Sequence, residues 1–216
     1  QSAPQNLVIR VDGTNDNPMV SHISSKTVDE GSAKISGQIT ATDLDHGDTA
    51  TFATSYSHAG FTLNSDGSYT LDPTDPSFNH LAVGEHETLI IPVTATDNNG
   101  GQSAPQNLVL RIDGTNDSPV VSGVSVGHVI EQGTNTLGTA EATGTLTASD
   151  LDTSDTIKWT VNQPQGQLGT LSIDQHGHWH YQLDNSAGSA TDKLTAGQHH
   201  PESFWITATD SSGTSV

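Results

Sequence analysis

The chain repeats itself over a distance of about one hundred residues. Residues 1–20 (QSAPQNLVIRVDGTNDNPMV) and residues 102–121 (QSAPQNLVLRIDGTNDSPVV) are identical at sixteen of twenty positions. A looser match relates Gly37–Asp45 to Gly144–Asp152. A unit of this length is too long for a solenoid repeat and has the size of a free-standing domain. The repeat therefore predicts tandem domains that share one fold.

The period of the repeat sets the expected domain boundaries. We expect a complete domain at 17–117 and a second at 118–216, preceded by residues 1–16, the terminal strand and linker of a preceding repeat. The second domain lacks the last strand, which 106–112 supply to the first, and residues 1–13 carry that sequence instead. Two interpretations stay open. The chain is an excerpt of a longer array, or residues 1–13 of one copy add a strand to another copy and build a head-to-tail filament.

Short alternating runs separated by turn residues predict an all-β fold. Apolar and polar residues alternate clearly in Asn107–Ile112 and Thr88–Thr94, whereas no apolar pattern of helical period persists. About seven short strands per domain are typical of antiparallel β-sandwiches of the immunoglobulin-like type. The predicted strands are Lys34–Ala41, Ala50–Tyr56, Phe61–Leu63, Ser68–Leu71, Glu87–Ala95 and Gln106–Ile112. The predicted core residues are Phe52, Tyr69 and Leu71 in the first domain and Trp159, Trp179, Tyr181 and Trp205 in the second.

The charge balance restricts the partners. The chain has 25 Asp and Glu against 6 Lys and Arg, a formal net charge of -19. Nucleic acid and anionic membrane surfaces are therefore excluded as expected partners. No apolar stretch is long enough for direct membrane insertion, and the absence of cysteine excludes a disulfide scaffold. The first residues do not resemble a signal peptide and read as the middle of a longer chain.

The acidic residues concentrate in loops that the sandwich order brings together. Chain reversals after the second and sixth strands lie at the end where the chain enters the domain, so we expect each domain to gather one acidic cluster there. The first cluster is Asp12, Asn15, Asp16, Asp43, Asp45 and Asp97. The second is Asp113, Asn116, Asp117, Asp150, Asp152 and Asp210, and we expect Glu30 and Glu85 to join it from the far pole of the first domain.

The donor set of these clusters favours calcium. Carboxylates held close together repel unless a cation intervenes. Oxygen donors without His or Cys favour a hard cation, and irregular loops suit Ca2+ better than Mg2+. The alternative is that Asp and Asn only cap turns, as they commonly do. Convergence of three loops, repeated in both domains, favours the calcium hypothesis.

Three histidines alternate at His176, His178 and His180, where the first domain has Asp66, Ser68 and Thr70. Alternate imidazoles on one strand face can bind zinc or nickel, but the aligned residues indicate an exposed polar face. No nucleophile elbow or phosphate loop is present, so we expect no enzyme. A glycan- or protein-binding module stays open as an alternative function.

The motifs of the first domain resemble a known family. They are ATDLDHGDTATF (41–52), LNSDGSYTLDP (63–73), LAVGE (81–85), VTATDNNGG (93–101) and DGTNDNP (12–18). The chain resembles the VCBS and cadherin-like repeats of giant bacterial RTX-type surface adhesins. The second domain departs from the pattern at HGHWHY, and Gln198 stands where the first domain has Glu85.

The resemblance carries expectations about function. It implies tandem immunoglobulin-like domains with calcium between neighbouring repeats of the same protein. It also implies export to the bacterial cell surface by type I secretion, and a stiff spacer role in adhesion and biofilm formation.

Overall fold

A computed structural model describes residues 2–216, which contain fifteen short strands and one 3-10 turn, Thr191–Lys193. The chain divides into two compact units. Unit 1 is the residues up to Phe78 with His86–Asp113, and unit 2 is Asn79–Glu85 with Gly114–Val216. The predicted all-β class is confirmed. Within residues 2–216 no helix has the length and apolar character needed to cross a membrane.

Unit 1 is a sandwich of short sheets. Its strands are β1 (Met19–Val20), β2 (Lys26–Asp29), β3 (Ile35–Gln38), β4 (Ala41–Thr42), β5 (Ala50–Ala53), β6 (Phe61–Leu63), β7 (Ser68–Leu71), β8 (His86–Asp97) and β9 (Gln106–Asp113). The main sheet has the order β2-β9-β8-β5, the second sheet β3-β7-β6, and β1 pairs with β4. All pairs are antiparallel except β2 with β9, which is parallel.

The core of unit 1 follows from the period of two along its strands. On β9, Leu108, Leu110 and Ile112 are fully buried, whereas Arg111 between them is exposed. On β8, alternate residues from Leu89 to Ala95 are buried in the same way. The predicted core residues Phe52, Tyr69 and Leu71 are all buried.

Unit 2 repeats part of this plan. Its strands are β10 (Val120–Gly123), β11 (Glu141–Ser149), β12 (Lys158–Val161), β13 (Gly169–Ile173), β14 (His178–Leu183) and β15 (Ile206–Thr209). The larger sheet has the order β10-β11-β14-β13, and β12 pairs with β15. All of these pairs are antiparallel.

The core of unit 2 contains Trp179 with Leu146 and Leu171, and Trp159 and Tyr181 pack against it. The prediction that Trp205 belongs to this core is wrong, because Trp205 is 79% exposed. Phe204 and Ile206 pack against the core, so the period of two turns the intervening Trp205 outward.

The two units differ most in the strand before their last acidic loop. In unit 1, the first eight residues of β8 pair with β9 and the last four pair with β5. In unit 2, β15 corresponds to the β5-pairing part, and residues 199–205 form no strand. Residues 2–18, which repeat most of β9, also form no strand, and their large apolar side chains are exposed.

Gly144 on β11 gives Trp179 the room that it occupies. A Cβ at Gly144 would lie 2.4 Å from a Trp179 ring carbon, and the indole donates a hydrogen bond from Nε1 to the Val124 carbonyl at 2.6 Å. Gly37 holds the equivalent position in unit 1, beneath Tyr69. Both units therefore place a glycine under a buried aromatic ring.

We expect Gly144→Ala to lower the free energy of unfolding of unit 2 by about 1–3 kcal/mol, because the added methyl group overpacks this contact. All three tryptophans lie in unit 2, so tryptophan fluorescence during urea unfolding follows that unit alone. Combining Gly144→Ala with Trp179→Phe should cost less than the sum of the single variants, because a smaller ring relieves the clash. Strictly additive costs would contradict this account of the packing.

Candidate metal centres

Each unit gathers three carboxylates whose oxygens lie within 4.8 Å of one another. The cluster in unit 1 is Asp43, Asp48 and Asp97, and the cluster in unit 2 is Asp150, Asp155 and Asp210. In both clusters the third residue is buried and the first two are half-buried. Like charges at this distance are costly unless hydrogen bonds or a cation compensate them.

Turn geometry after two strands brings the unit 1 carboxylates together. Asp43 follows β4, and its Oδ1 accepts a hydrogen bond from the Asp45 backbone N–H at 2.9 Å. Asp97 ends β8, and its Oδ1 accepts hydrogen bonds from the backbone N–H groups of Asn99 and Gly101, both at 2.8 Å. Each turn is thus closed by one oxygen of its own aspartate, which leaves the second oxygen for another partner.

The linker that precedes unit 1 is tied to both turns. Asn15 donates from Nδ2 to Asp97 Oδ2 at 3.0 Å, and the Asp16 backbone N–H donates to Asp45 Oδ2 at 2.7 Å. Three segments that are remote in sequence therefore meet at one pole of the unit. These are the loops that the strand order was expected to bring together.

Unit 2 repeats the linker contacts. Asn116 donates from Nδ2 to Asp210 Oδ2 at 3.1 Å, and the Asp117 backbone N–H donates to Asp152 Oδ2 at 2.9 Å. Asp150 Oδ1 accepts the Asp152 N–H at 3.1 Å, as Asp43 does for Asp45. The two poles have the same hydrogen-bond plan.

Asp48 and Asp155 are the members of the clusters that the sequence analysis missed. Asp48 accepts hydrogen bonds from Asn98 at 3.2 Å and Asn99 at 2.9 Å, and Asp155 accepts one from the Ser211 hydroxyl at 2.6 Å. A signal for them was present, because Asp48 and Asp155 recur at the same offset of 107 residues as the other loop aspartates.

Several buried oxygens at these poles have no hydrogen-bond partner. They are Asp43 Oδ2, Asn116 Oδ1, Asp150 Oδ2, Asp152 Oδ1 and Asp155 Oδ2. A buried carboxylate oxygen without a partner is costly, and such groups usually mark an ion or water. All five belong to the two acidic poles, so the poles have unused acceptor capacity where the charge is densest.

Hydrogen bonds lower the pKa of two buried aspartates, Asp97 and Asp210. The hydrogen bond from Asn15 holds the pKa of Asp97 below its usual value, and backbone N–H groups add to this effect against burial. Burial is the largest influence on Asp210 and raises its pKa, but hydrogen bonds from Asn116 and neighbouring N–H groups lower it overall. Both carboxylates are therefore held in the ionised form.

Asp152 shows the cost of the crowding. It is 1% exposed, and burial raises its pKa above the usual value. The nearby charges of Asp117, Asp150 and Asp155 raise the pKa further, and the hydrogen bond from the Asp117 N–H only partly offsets them. Ionising Asp152 is thus less favourable at this pole than ionising an exposed aspartate.

Four further residues of the expected clusters have described contacts of their own. Asp12 is exposed and pairs with Arg10 at 2.6 Å, so it is not part of the three-carboxylate cluster. Asp113 ends β9, pairs with Arg111 at 2.5 Å, and accepts the Glu30 N–H at its carbonyl. Glu30 is buried in unit 1. Glu85, in unit 2, accepts the Ala82 N–H at 3.2 Å through its carboxylate.

The chemistry of the two poles fits a hard divalent cation. Each pole offers several carboxylate oxygens together with an Asn side chain, and neither described cluster includes His or sulfur. Calcium takes about six to eight oxygen ligands in flexible geometry, which irregular loops can supply. The unpartnered oxygens are the groups that such an ion would satisfy.

Comparison with known families gives a match for each half of the chain. Residues 15–109 match the family model of the bacterial Ig domain, and residues 116–216 match that of the bacterial cadherin-like domain. No curated protein sequence matches the chain significantly.

One solved cadherin structure shares the fold, and two others are reported with it. The chain is similar to PcdhgB3 EC1-4, with 20% identity, a TM-score of 0.50, and coverage of 90% of this chain and 45% of that one. The protocadherin gamma B4 extracellular domain is 21% identical at a TM-score of 0.49, with coverage of 95% and 32%. Drosophila N-cadherin EC1-4 is 18% identical at a TM-score of 0.43, with coverage of 94% and 48%. The chain spans less than half the length of these structures.

We expect Asp152→Asn to change the stability of unit 2 in opposite directions with and without calcium. An acid with a raised folded-state pKa contributes stability below its unfolded pKa, and this contribution is lost as pH rises through the folded pKa. At pH 7 in chelator, the substitution should therefore raise the melting temperature of unit 2, and the gain should shrink as pH is lowered. In calcium it removes a negative ligand and should lower the melting temperature.

Tryptophan fluorescence melts with chelator and with calcium measure both signs. Asp184→Asn is the control, because Asp184 lies outside the cluster and bonds to Ser186 in an exposed turn. Asp184→Asn should shift the melting temperature of unit 2 in the same direction in both buffers. A single sign for Asp152→Asn in both buffers would contradict the role assigned to its charge.

Proposed function

Because the chain consists of immunoglobulin-like, cadherin-like repeats of the bacterial type, we propose that it is a calcium-rigidified extender segment of a secreted bacterial surface adhesin. The observation that carries the proposal is the pair of matching acidic poles with their unpartnered buried oxygens. Cadherin-like domains generally bind calcium, and an extracellular repeat role agrees with both family matches.

The ligands proposed for calcium are the residues of the two poles. In unit 1 they are Asn15, Asp16, Asp43, Asp45, Asp48 and Asp97, and in unit 2 Asn116, Asp117, Asp150, Asp152, Asp155 and Asp210. Bound calcium would supply positive charge to each cluster. Asp12, Glu30, Glu85 and Asp113 remain proposed as further ligands next to the linkers.

The contacts of Asn15 and Asp16 explain how charge compensation would stiffen an array. These linker residues already donate hydrogen bonds to the two acidic turns. Repulsion among the turn carboxylates opposes these two hydrogen bonds, so we expect the attachment of the linker to be weaker when no cation is bound. With the charge compensated, the linker keeps a defined direction relative to the unit that follows it.

The composition suits a spacer that works outside the cell. The chain has no cysteine, so its rigidity comes from a source other than disulfides. We propose that the domains are residues 17–117 and 118–216, that their partners are neighbouring repeats of the same protein, and that they have no catalytic role. We also propose that the protein is exported by type I secretion and takes part in adhesion and biofilm formation.

We expect Asp150→Asn with Asp155→Asn to abolish the calcium-dependent rise in the melting temperature of unit 2. Binding to the folded state alone stabilises a domain by about 2.7 kcal/mol when the ligand exceeds its Kd a hundredfold. Tryptophan fluorescence follows unit 2, so Asp43→Asn with Asp48→Asn in unit 1 is the matched control and should leave that rise in place. Equal calcium responses in all three proteins would exclude the proposed ligands.

Rigidity is measured on the same proteins by small-angle scattering. Relative to chelator, calcium should increase the maximum dimension of the wild-type chain and make that dimension better defined. The Asp150→Asn/Asp155→Asn protein should resemble the chelated wild type in both buffers. Calcium binding without any change in maximum dimension would exclude the spacer role but would not contradict the proposed ion sites.

A second candidate function is assembly by strand donation, in which residues 1–13 of one copy add to unit 2 of another. Leu7, Val8, Ile9 and Val11 are 74–88% exposed. Their counterparts on β9 lie between β2 and β8. In unit 2, Ala208 on β15 already pairs with Val216, so the segment that could accept another strand is residues 199–205, which correspond to the β9-pairing part of β8 and form no strand.

We expect strand donation to cause concentration-dependent association of the chain in sedimentation velocity. Leu7→Asp with Ile9→Asp should abolish it, because the counterparts of these residues on β9, Leu108 and Leu110, are fully buried. Ser2→Asp with Ala3→Asp adds the same charge ahead of residues 5–12, which repeat β9, and should leave association unchanged. A chain that stays monomeric at high concentration would exclude this function.

A further inference from the structure

We propose that the outer face of β14 in unit 2 binds a divalent late transition metal ion, such as Zn2+, through His178, His180 and Glu141. This site is separate from the acidic poles and does not depend on the calcium function. It lies on the exposed side of the β11-β14-β13 sheet, above a groove of about 540 Å3 that is lined by both histidines.

Strand register brings the ligands to one face. His178 and His180 are two residues apart on β14, so their side chains leave the same side of the sheet. Thr145 and Thr143 lie opposite them on β11, and Ser172 lies opposite His180 on β13. The neighbours are small hydroxyl side chains, which leave space above the imidazoles.

A carboxylate lies beside His178, with Asp174 Oδ2 at 2.9 Å from His178 Nδ1. When Nδ1 of a neutral imidazole donates to this oxygen, Nε2 is the ring atom that can bind a metal ion. Metal-binding histidines commonly donate their other ring N–H to a carboxylate in this way.

His180 and Glu141 are at the separation expected of two ligands on one ion. His180 Nε2 lies 3.5 Å from Glu141 Oε2, which is long for a hydrogen bond. In a tetrahedral zinc site with bonds of about 2.0–2.2 Å, neighbouring ligand atoms are about 3.3–3.5 Å apart. All three side chains are at least 40% exposed, so His180 and Glu141 can turn together toward His178 Nε2 while His178 keeps its contact with Asp174.

The equivalent face of unit 1 lacks these ligands. Ser68 and Thr70 replace the two histidines, and Lys34 stands at the position of Glu141. Lys34 pairs with Asp72 at 3.1 Å, so it places a positive charge where unit 2 has a negative one. The proposed site is therefore a property of unit 2 alone, and imidazole ligands give it a preference for Zn2+, Ni2+ or Cu2+ over calcium.

Isothermal titration of the full chain with Zn2+, in saturating Ca2+ to occupy the oxygen sites, tests the proposal. We expect one equivalent of Zn2+ per chain. His178→Ser with His180→Thr, which installs the unit 1 residues, should weaken binding at least 100-fold without changing the circular dichroism spectrum. Asp174→Asn should weaken it about tenfold, because it releases the orientation of His178.

His199 and His200 supply the control, because they form an adjacent pair in a loop of the same unit. His199→Ala with His200→Ala should leave the Zn2+ affinity unchanged. Absence of Zn2+ binding by the wild-type chain would overturn the proposal. So would binding that persists in the His178→Ser/His180→Thr protein or disappears in the His199→Ala/His200→Ala protein.

Discussion

Crowding of negative charge at one pole is the constraint on which each unit depends. Asp43 and Asp97 each use one oxygen to close their own turn, which fixes the backbone and leaves the charge close to its neighbours. The linker amide of Asn15 relieves part of the repulsion at Asp97. In unit 2 the buried Asp152 keeps a raised pKa, so hydrogen bonds alone do not neutralise this pole. The strands determine where the turns lie, and the turns determine where the carboxylates crowd together.

The sequence predicted the fold class because alternation along a strand is a local signal. Alternation gave the bounds of β6 and β7 at Phe61–Leu63 and Ser68–Leu71, and the sandwich order of the strands indicated which loops share a pole. Asp48 was missed because its approach to the cluster depends on hydrogen bonds from Asn98 and Asn99, which lie fifty residues away. The Trp205 prediction is wrong because its neighbours Phe204 and Ile206 face the core, which leaves the large apolar side chain between them exposed. Neither a long-range hydrogen bond nor the partner of a short polar strand such as β2 leaves a local pattern.

The two units have diverged in an informative way. The inner contacts are kept, since a glycine lies under an aromatic ring in both units and the linker bonds are repeated at each pole. The outer face of the central strand is not kept, because hydroxyl side chains in unit 1 are replaced by imidazoles in unit 2. Packing and charge balance restrict the interior and the poles, whereas an exposed strand face can acquire new ligands at little cost to stability.

The parallel pairing of β2 with β9 determines how unit 1 carries tension. Lys26–Asp29 near the start of the unit pair in register with Leu110–Asp113 at its end. A pull on the two ends of the unit draws these strands past each other along their length, so the bonds between them are loaded together in shear and not opened one at a time. Unit 1 thus places a pairing that is loaded in shear between a strand near its start and the strand at its end.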